Sequence, residues 1–338
     1  MTEGKSRAPS DDAASVTAEA SSRSRGIDAC RVLAAVLVIW IHATSGVHFS
    51  PLIVHTTLGL IGVPFFTAAA MLFAVRHAYR GAALSALVMS RVRRILIPFV
   101  IWAVIYWVAS DLIFGRILSG VPLTFEWREA MKGFTWHLWF LPFVFVMSTL
   151  AVLISRVTVR TAAVAAGAAL CAILGAVAVF GVPATSDVSF ARWPYELPVA
   201  LVSLAGALAM QRRWVRVRTS GVVAATLWLG VVAFAVYGLL EGEPPARRSA
   251  QAAGVLMLAA ALATPDRFIP EWLARLGSLG YSVYVVHVVI LQVTMMLLER
   301  GGPLTPAGAL TLFVITVVLS FIAAWLGKRT PIVRRAFP

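Results

Sequence analysis

Charge is scarce in this 338-residue chain: Asp, Glu, Lys and Arg make up 13% of it against 60% hydrophobic residues. With a mean hydropathy of +0.86, that composition excludes an ordinary soluble domain. Acidic residues are scarcer still, 15 against 29 basic ones, for a net charge of +14. Such an excess suits nucleic acid, but the basic residues stand in short clusters between apolar runs, as in the loops that orient a membrane protein, so no nucleic-acid partner is expected. Cysteine is nearly missing. Cys30 falls at a helix start and Cys171 inside a span, which leaves no basis for a disulfide framework or a metal site and gives both a packing role. There is no internal repeat and no long soluble insertion, so any chemistry has to take place in or beside a bilayer.

What the chain does have is apolar runs of spanning length. A hydrocarbon core of about 30 Å needs roughly twenty apolar residues per helix. Ten segments meet or approach that, at 29–47, 52–75, 95–114, 137–154, 161–182, 194–210, 219–240, 249–264, 279–298 and 307–327. The expected fold class is therefore all-α: a polytopic membrane protein of about ten transmembrane helices. Residues 1–26, rich in Ser, Ala and Asp, read as a disordered tail, and 27–338 as one transmembrane domain. Loops placed outside carry only Arg116, Arg128, Lys132, Arg192, Arg247, Arg248 and Arg300, and the other basic residues, Arg31 apart, lie on the opposite side. That asymmetry puts both termini in the cytoplasm.

Against this background a few residues stand out because lipid rejects them. Ten apolar residues separate Arg31 from His42. Eleven helical steps leave about 20° after three full turns and climb about 16 Å, so the two side chains share a face, with His42 near mid-bilayer. Asp28 shares that face. An ionisable group at helix centre costs about 2.5–3.5 kcal/mol on insertion scales and should face a bundle interior or a wet cavity. In "SRVRRILIPFVIW", Arg91 and Arg94 stand three apart where the chain re-enters the membrane. They read either as a topology signal or as guanidinium forks for phosphate. "TWHLWFLPF" places His137 at the outer start of a helix among Trp136, Trp139 and Phe140, and "GSLGYSVYVVH" places His287 midway along another, below Tyr281, Ser282 and Tyr284. The aromatics fit an interfacial belt and a substrate platform equally well. Asp111 and Glu196 lie near helix ends and have no assigned role, while His48, His55 and His77 look interfacial.

Taken together, and in this order along the chain, these residues resemble the acyltransferase 3 family of integral membrane O-acyltransferases. The family's arginine and histidine, ten residues apart in its first helix, match Arg31 and His42. Its paired arginines before a proline and a tryptophan match Arg91 and Arg94 with Pro98 and Trp102. Its His-x-Trp-Phe-Leu segment matches His137, Trp139, Phe140 and Leu141, and its late Ser-x-x-Tyr with a following histidine is similar to "YSVYVVH". The opening "IDACRVLAA" looks more like the surface-polysaccharide O-acetyltransferase branch. Around "WPYELPVALVSLAGALAM" the family's phenylalanine-rich run is missing, which leaves Glu196 without a counterpart.

The resemblance implies an O-acyltransferase of the plasma (inner) membrane, with no bound cofactor or metal, that takes acyl-CoA, most simply acetyl-CoA, as co-substrate. The acceptor it implies is a hydroxyl of a surface carbohydrate or lipid-linked glycan. On this reading His42 is expected to be the catalytic base, and Arg31, Arg91 and Arg94 the acyl-CoA ligands. Asp28, Trp136, His137, Trp139, Phe140, Tyr281, Ser282, Tyr284 and His287 are the supporting or acceptor-side residues. The extended arm of acyl-CoA has a reach similar to the climb from Arg31 to His42. Two alternatives stand beside this reading: O-acylation of a small secreted metabolite, and a secondary transporter relaying protons through His42 and His287. The length of the acyl group, direct transfer against an acyl-histidine intermediate, and oligomeric state are left open.

Overall fold

The structure is a computed structural model; it describes residues 24–44, 58–81, 83–113, 130, 133–135, 137–156, 193–210, 220–241, 245–299 and 305–337. Most of these are helical, with no strand among them. In chain order the elements are α1 (Arg25–Thr44), α2 (Gly62–Ala78), α3 (Leu84–Arg91), a π-helical stretch (Val92–Leu96), α4 (Ile97–Ile113), α5 (Phe140–Ile154), α6 (Trp193–Met210), α7 (Gly221–Glu241) and α8 (Pro245–Ala263). A 3₁₀ turn (Asp266–Phe268), α9 (Glu271–Gly277), α10 (Gly280–Glu299) and α11 (Pro306–Arg329) follow.

Six helical stretches among the described residues are long and apolar enough to cross a membrane: Arg25–Thr44, Leu58–Ala78, Leu84–Ala109, Gly221–Leu240, Gly280–Leu298 and Pro306–Arg329. Two shorter apolar helices accompany them, Phe140–Ile154 and Tyr195–Met210. The expected span at 161–182 lies outside the described residues. So do Trp136, Cys171, His48 and His55. The outward faces of α7 and α11 are apolar, with Val222 77% and Leu240 80% exposed. In water that surface would be a liability, and in a bilayer it faces lipid.

Three boundaries differ from the sequence expectation, and each difference positions the site. The first helix starts at Arg25, so Asp28 sits in its first turn rather than before it. The third span is the C-terminal part of a longer helix that runs from Leu84 to Ala109. Its π-helical stretch carries Arg93 and Arg94 and breaks the 3.6-residue period just where the arginines fall. The helix expected from 137 begins at Phe140, and His137 stands in the turn before it.

Small residues set the distances between helices, as is usual where lipid supplies no hydrophobic drive. A Cβ added at Gly254 of α8 would come within 2.6 Å of Pro64 Cβ and 2.8 Å of Phe65 N on α2. Gly277, the last residue of α9, lies directly on the backbone carbonyl of Asp28. The start of α11 is capped by Thr305, whose hydroxyl accepts the Gly308 N–H at 3.1 Å with Pro306 in the first turn. At its other end the chain turns back. Ala336 is buried, its carbonyl accepts the Trp102 indole N–H at 2.8 Å, and Phe337 packs edge-on against Trp102.

Candidate active site

The site begins at the end of α1 that carries Asp28. That carboxylate is 3% exposed, and its Oδ1 accepts a 2.7 Å charge-assisted bond from Arg31 Nη1. The Arg31 guanidinium lies 5.0 Å from the centroid of the Phe73 ring on α2. Gly280, where α10 starts, touches the Arg31 backbone. One turn beyond Phe73 on α2, His77 is within electrostatic range of Arg80, Arg91 and Arg94. The two arginine clusters therefore occupy the same end of the bundle.

They are not equivalent. The expected common face for Arg91 and Arg94 is not kept, because the π-helical stretch intervenes. Arg91 is 9% exposed, with Nη1 donating to the Leu87 carbonyl at 3.0 Å. Arg94 is exposed and, with Arg93, Ser90, Met89 and Ala86, lines an open recess of about 420 Å³. Arg93, which the three-residue spacing passed over, is thus the recess partner of Arg94, and Arg91 fastens the helix behind them.

Deeper in the bundle the structure brings together three histidines from distant parts of the sequence. The His42 and His287 rings stack at 5.4 Å between centroids and 7° between planes. His137 meets His287 edge to face at 5.1 Å and 73°. His137 and His287 are 3% and 0% exposed, and His42 is half-buried. His137 was expected at the outer start of a helix; instead its turn reaches inward until the ring lies against His287.

The chain delivers His137 by a conformation it would not adopt without support. Gly133 (φ 78°) and Phe134 (φ 56°) both lie in the left-handed region. There, a bulky residue costs on the order of 1–3 kcal/mol. The Phe134 ring stacks on Trp107 at 5.7 Å and 29°, which offsets part of that strain. Beside it, Thr135 Oγ1 lies 3.1 Å from His137 Nδ1, and the Tyr284 hydroxyl donates to the His137 backbone carbonyl.

His287 has a defined tautomer. Its Nδ1 is 2.7 Å from the Tyr284 carbonyl, an oxygen that can only accept, so Nδ1 carries the hydrogen. In the neutral ring the lone pair then sits on Nε2. That atom is buried and has no hydrogen-bond partner. An imidazole held this way presents Nε2 to the centre as a hydrogen-bond acceptor. Among the described residues no three His, Cys, Asp or Glu side chains are arranged to hold a metal ion.

Tyr106, which sequence reasoning missed, closes the centre from α4. It is 2% exposed, and its ring lies edge-on to His137 at 5.0 Å and 78°. Its hydroxyl donates to the Val285 carbonyl at 3.0 Å and accepts the Val289 N–H at 3.1 Å, both on α10. The one sequence signal was a tyrosine within the apolar run "IWAVIYWVAS".

The remaining expected residues divide. Phe140 packs on Tyr284 at 5.5 Å, and Tyr284 packs on His137 at 5.7 Å, so both belong to the wall of the centre. Trp139 is 5% exposed and packs at 6.0 Å on each of Phe140 and Phe143, which makes it a backing ring rather than an open platform. Tyr281 and Ser282 stand at the start of α10, on the Arg31 side. Ser282 is five residues, about 7.5 Å of helix rise, before His287.

An all-helical bundle with an ion pair at one end and three packed imidazoles in its interior defines a multi-pass membrane protein with an intramembrane histidine centre. The acyltransferase 3 family model, described as an acyltransferase domain, matches residues 24–325. The chain belongs to that family and is a membrane acyltransferase. No curated protein and no solved structure matches it.

Proposed function

We propose that this acyltransferase moves an acyl group, in the simplest case acetyl, from acyl-CoA to a hydroxyl of a surface carbohydrate or lipid-linked glycan. The observation that carries the reading is the stack of His42 on His287, with His137 against it, deep in the bundle. The helix face that holds His42 starts at the Asp28–Arg31 pair.

In this reading the chain crosses the plasma membrane about ten times with both termini in the cytoplasm, and the arginine end is the cytoplasmic mouth. Acyl-CoA brings phosphates to Arg94 and Arg93, with Arg31 nearer the axis. The thioester arm extends along α1 for the ~16 Å to the imidazoles. His42 accepts the proton of the acceptor hydroxyl as its oxygen bonds to the thioester carbonyl carbon. The C–S bond breaks, the CoA thiolate leaves, and the imidazolium returns the proton to it. His137 and Tyr284 line the acceptor side.

The test is transfer of label from acetyl-CoA to membrane glycans, in membranes holding the wild type or His42→Ala at equal folded amounts. Acylation by the wild type and its loss in His42→Ala are expected. Near wild-type transfer by His42→Ala refutes the assignment. Absence of any CoA binding, together with proton-coupled flux of a solute, replaces the enzyme with a transporter.

A further inference from the structure

We infer that Tyr106 is a positioning residue of the acyl-transfer centre, its hydroxyl setting the place of His287. The inference rests on the acyl-transfer reading above. It starts from where the hydroxyl binds. The Val285 carbonyl and the Val289 N–H stand four residues apart on α10, and in an uninterrupted α-helix they pair with each other. Tyr106 inserts its hydroxyl at that rung, donating to one and accepting from the other at 3.0 and 3.1 Å. A regular helix closes such a rung on itself without help from a side chain, so pairing of these backbone groups does not by itself call for a hydroxyl here.

A phenylalanine in the same place would keep the ring contacts with His137 and Trp102 and would not bring a hydroxyl out of water. What the hydroxyl adds is location. It ties α4 to one rung of α10, and His287 stands between the two residues of that rung. On the same turn the Tyr284 carbonyl accepts from His287 Nδ1, and the Tyr284 hydroxyl donates to the backbone of His137. The bonds of Tyr106 and Tyr284 thus fix the axial position and rotation of the α10 turn that presents His287 to His42 and His137. A misplacement of about 1 Å in such a centre is enough for a rate loss on the order of 100-fold.

The test compares the wild type with Tyr106→Phe, full-length and in detergent, by steady-state kinetics, thermal unfolding and peptide-resolved hydrogen exchange. The expected result is a kcat lower by about 10- to 100-fold with KM for acetyl-CoA within about twofold. Exchange is expected to quicken about five- to tenfold in the peptide holding residues 284–290 and to stay unchanged in α7 and α11. A kcat within twofold of wild type overturns the proposal. So does exchange that is unaltered around His287, or a joint fall of kcat, affinity and unfolding temperature, which assigns the hydroxyl to general stability. A Tyr106→Phe protein that fails to fold overturns it in the same way. If the wild type itself transfers no acyl group from acetyl-CoA, the proposed function fails instead. The exchange comparison then decides by itself whether Tyr106 holds the His287 turn.

Discussion

Removing Arg31 should harm the protein more than removing Asp28, although the two share a single bond. The Asp28 side chain is 4% exposed and that of Arg31 31%. Without Asp28, the guanidinium keeps its water and its place over Phe73. Without Arg31, a nearly buried carboxylate loses its 2.7 Å counter-charge. Breaking a fully buried pair costs about 3–5 kcal/mol, and an exposed one about 0–1 kcal/mol. With one partner a third open to solvent, Arg31→Met should cost about 2–3 kcal/mol and Asp28→Asn about 1 kcal/mol. The double variant Asp28→Leu with Arg31→Met should recover part of the Arg31→Met loss, since removing both charges also removes the desolvation penalty. Thermal unfolding followed by size-exclusion fluorescence in detergent gives the order directly. Equal losses for the two single variants, or a double variant less stable than Arg31→Met alone, would show that the pair does not work by desolvation.

Gly277→Ala drives a Cβ into the Asp28 carbonyl, whereas an added Cβ at Gly206 meets nothing within 4 Å; the first should lose folded protein and transferase activity, and the second should leave both unchanged, as size-exclusion profiles and label transfer will show. Phe134→Ile puts a β-branched residue at φ 56° and gives up the Trp107 stack, so it should cost about 1–3 kcal/mol and lower kcat through His137.

Much of the architecture was legible because its cause is local. Spans follow from apolar length, and the Arg31–His42 face follows from eleven steps along one uninterrupted helix. The Arg91–Arg94 face was misjudged for the converse reason. It was read with a 3.6-residue period across Val92–Leu96, a stretch that adopts the π form. Its signal lies two residues further on, in Pro98, which has no N–H for the Arg94 carbonyl and crowds it, so the turn before it widens. His137 was placed at a helix start because "TWHLWFLPF" is continuous with the apolar run that follows. The inward turn depends on Gly133 and Phe134 in left-handed conformations, and only the first of those residue types hints at it.

The meeting of the three histidines could not be read from any of these segments, because it is a matter of depth between helices rather than of periodicity within one. Depth can nevertheless be derived afterwards. His42 lies eleven residues beyond Arg31 and Tyr106 twelve beyond Arg94, climbs of about 16 and 18 Å. Both guanidinium groups belong to the same end of the bundle, so α1 and α4 bring their polar residues to one level. α10 starts against Arg31 and reaches that level sooner, at His287. The Tyr106 bond to the Val285–Val289 rung ties α10 to α4 at that level. A buried tyrosine one helix away from an isolated intramembrane histidine, at a matching distance from a basic mouth, is therefore a physical signal that one sequence can carry.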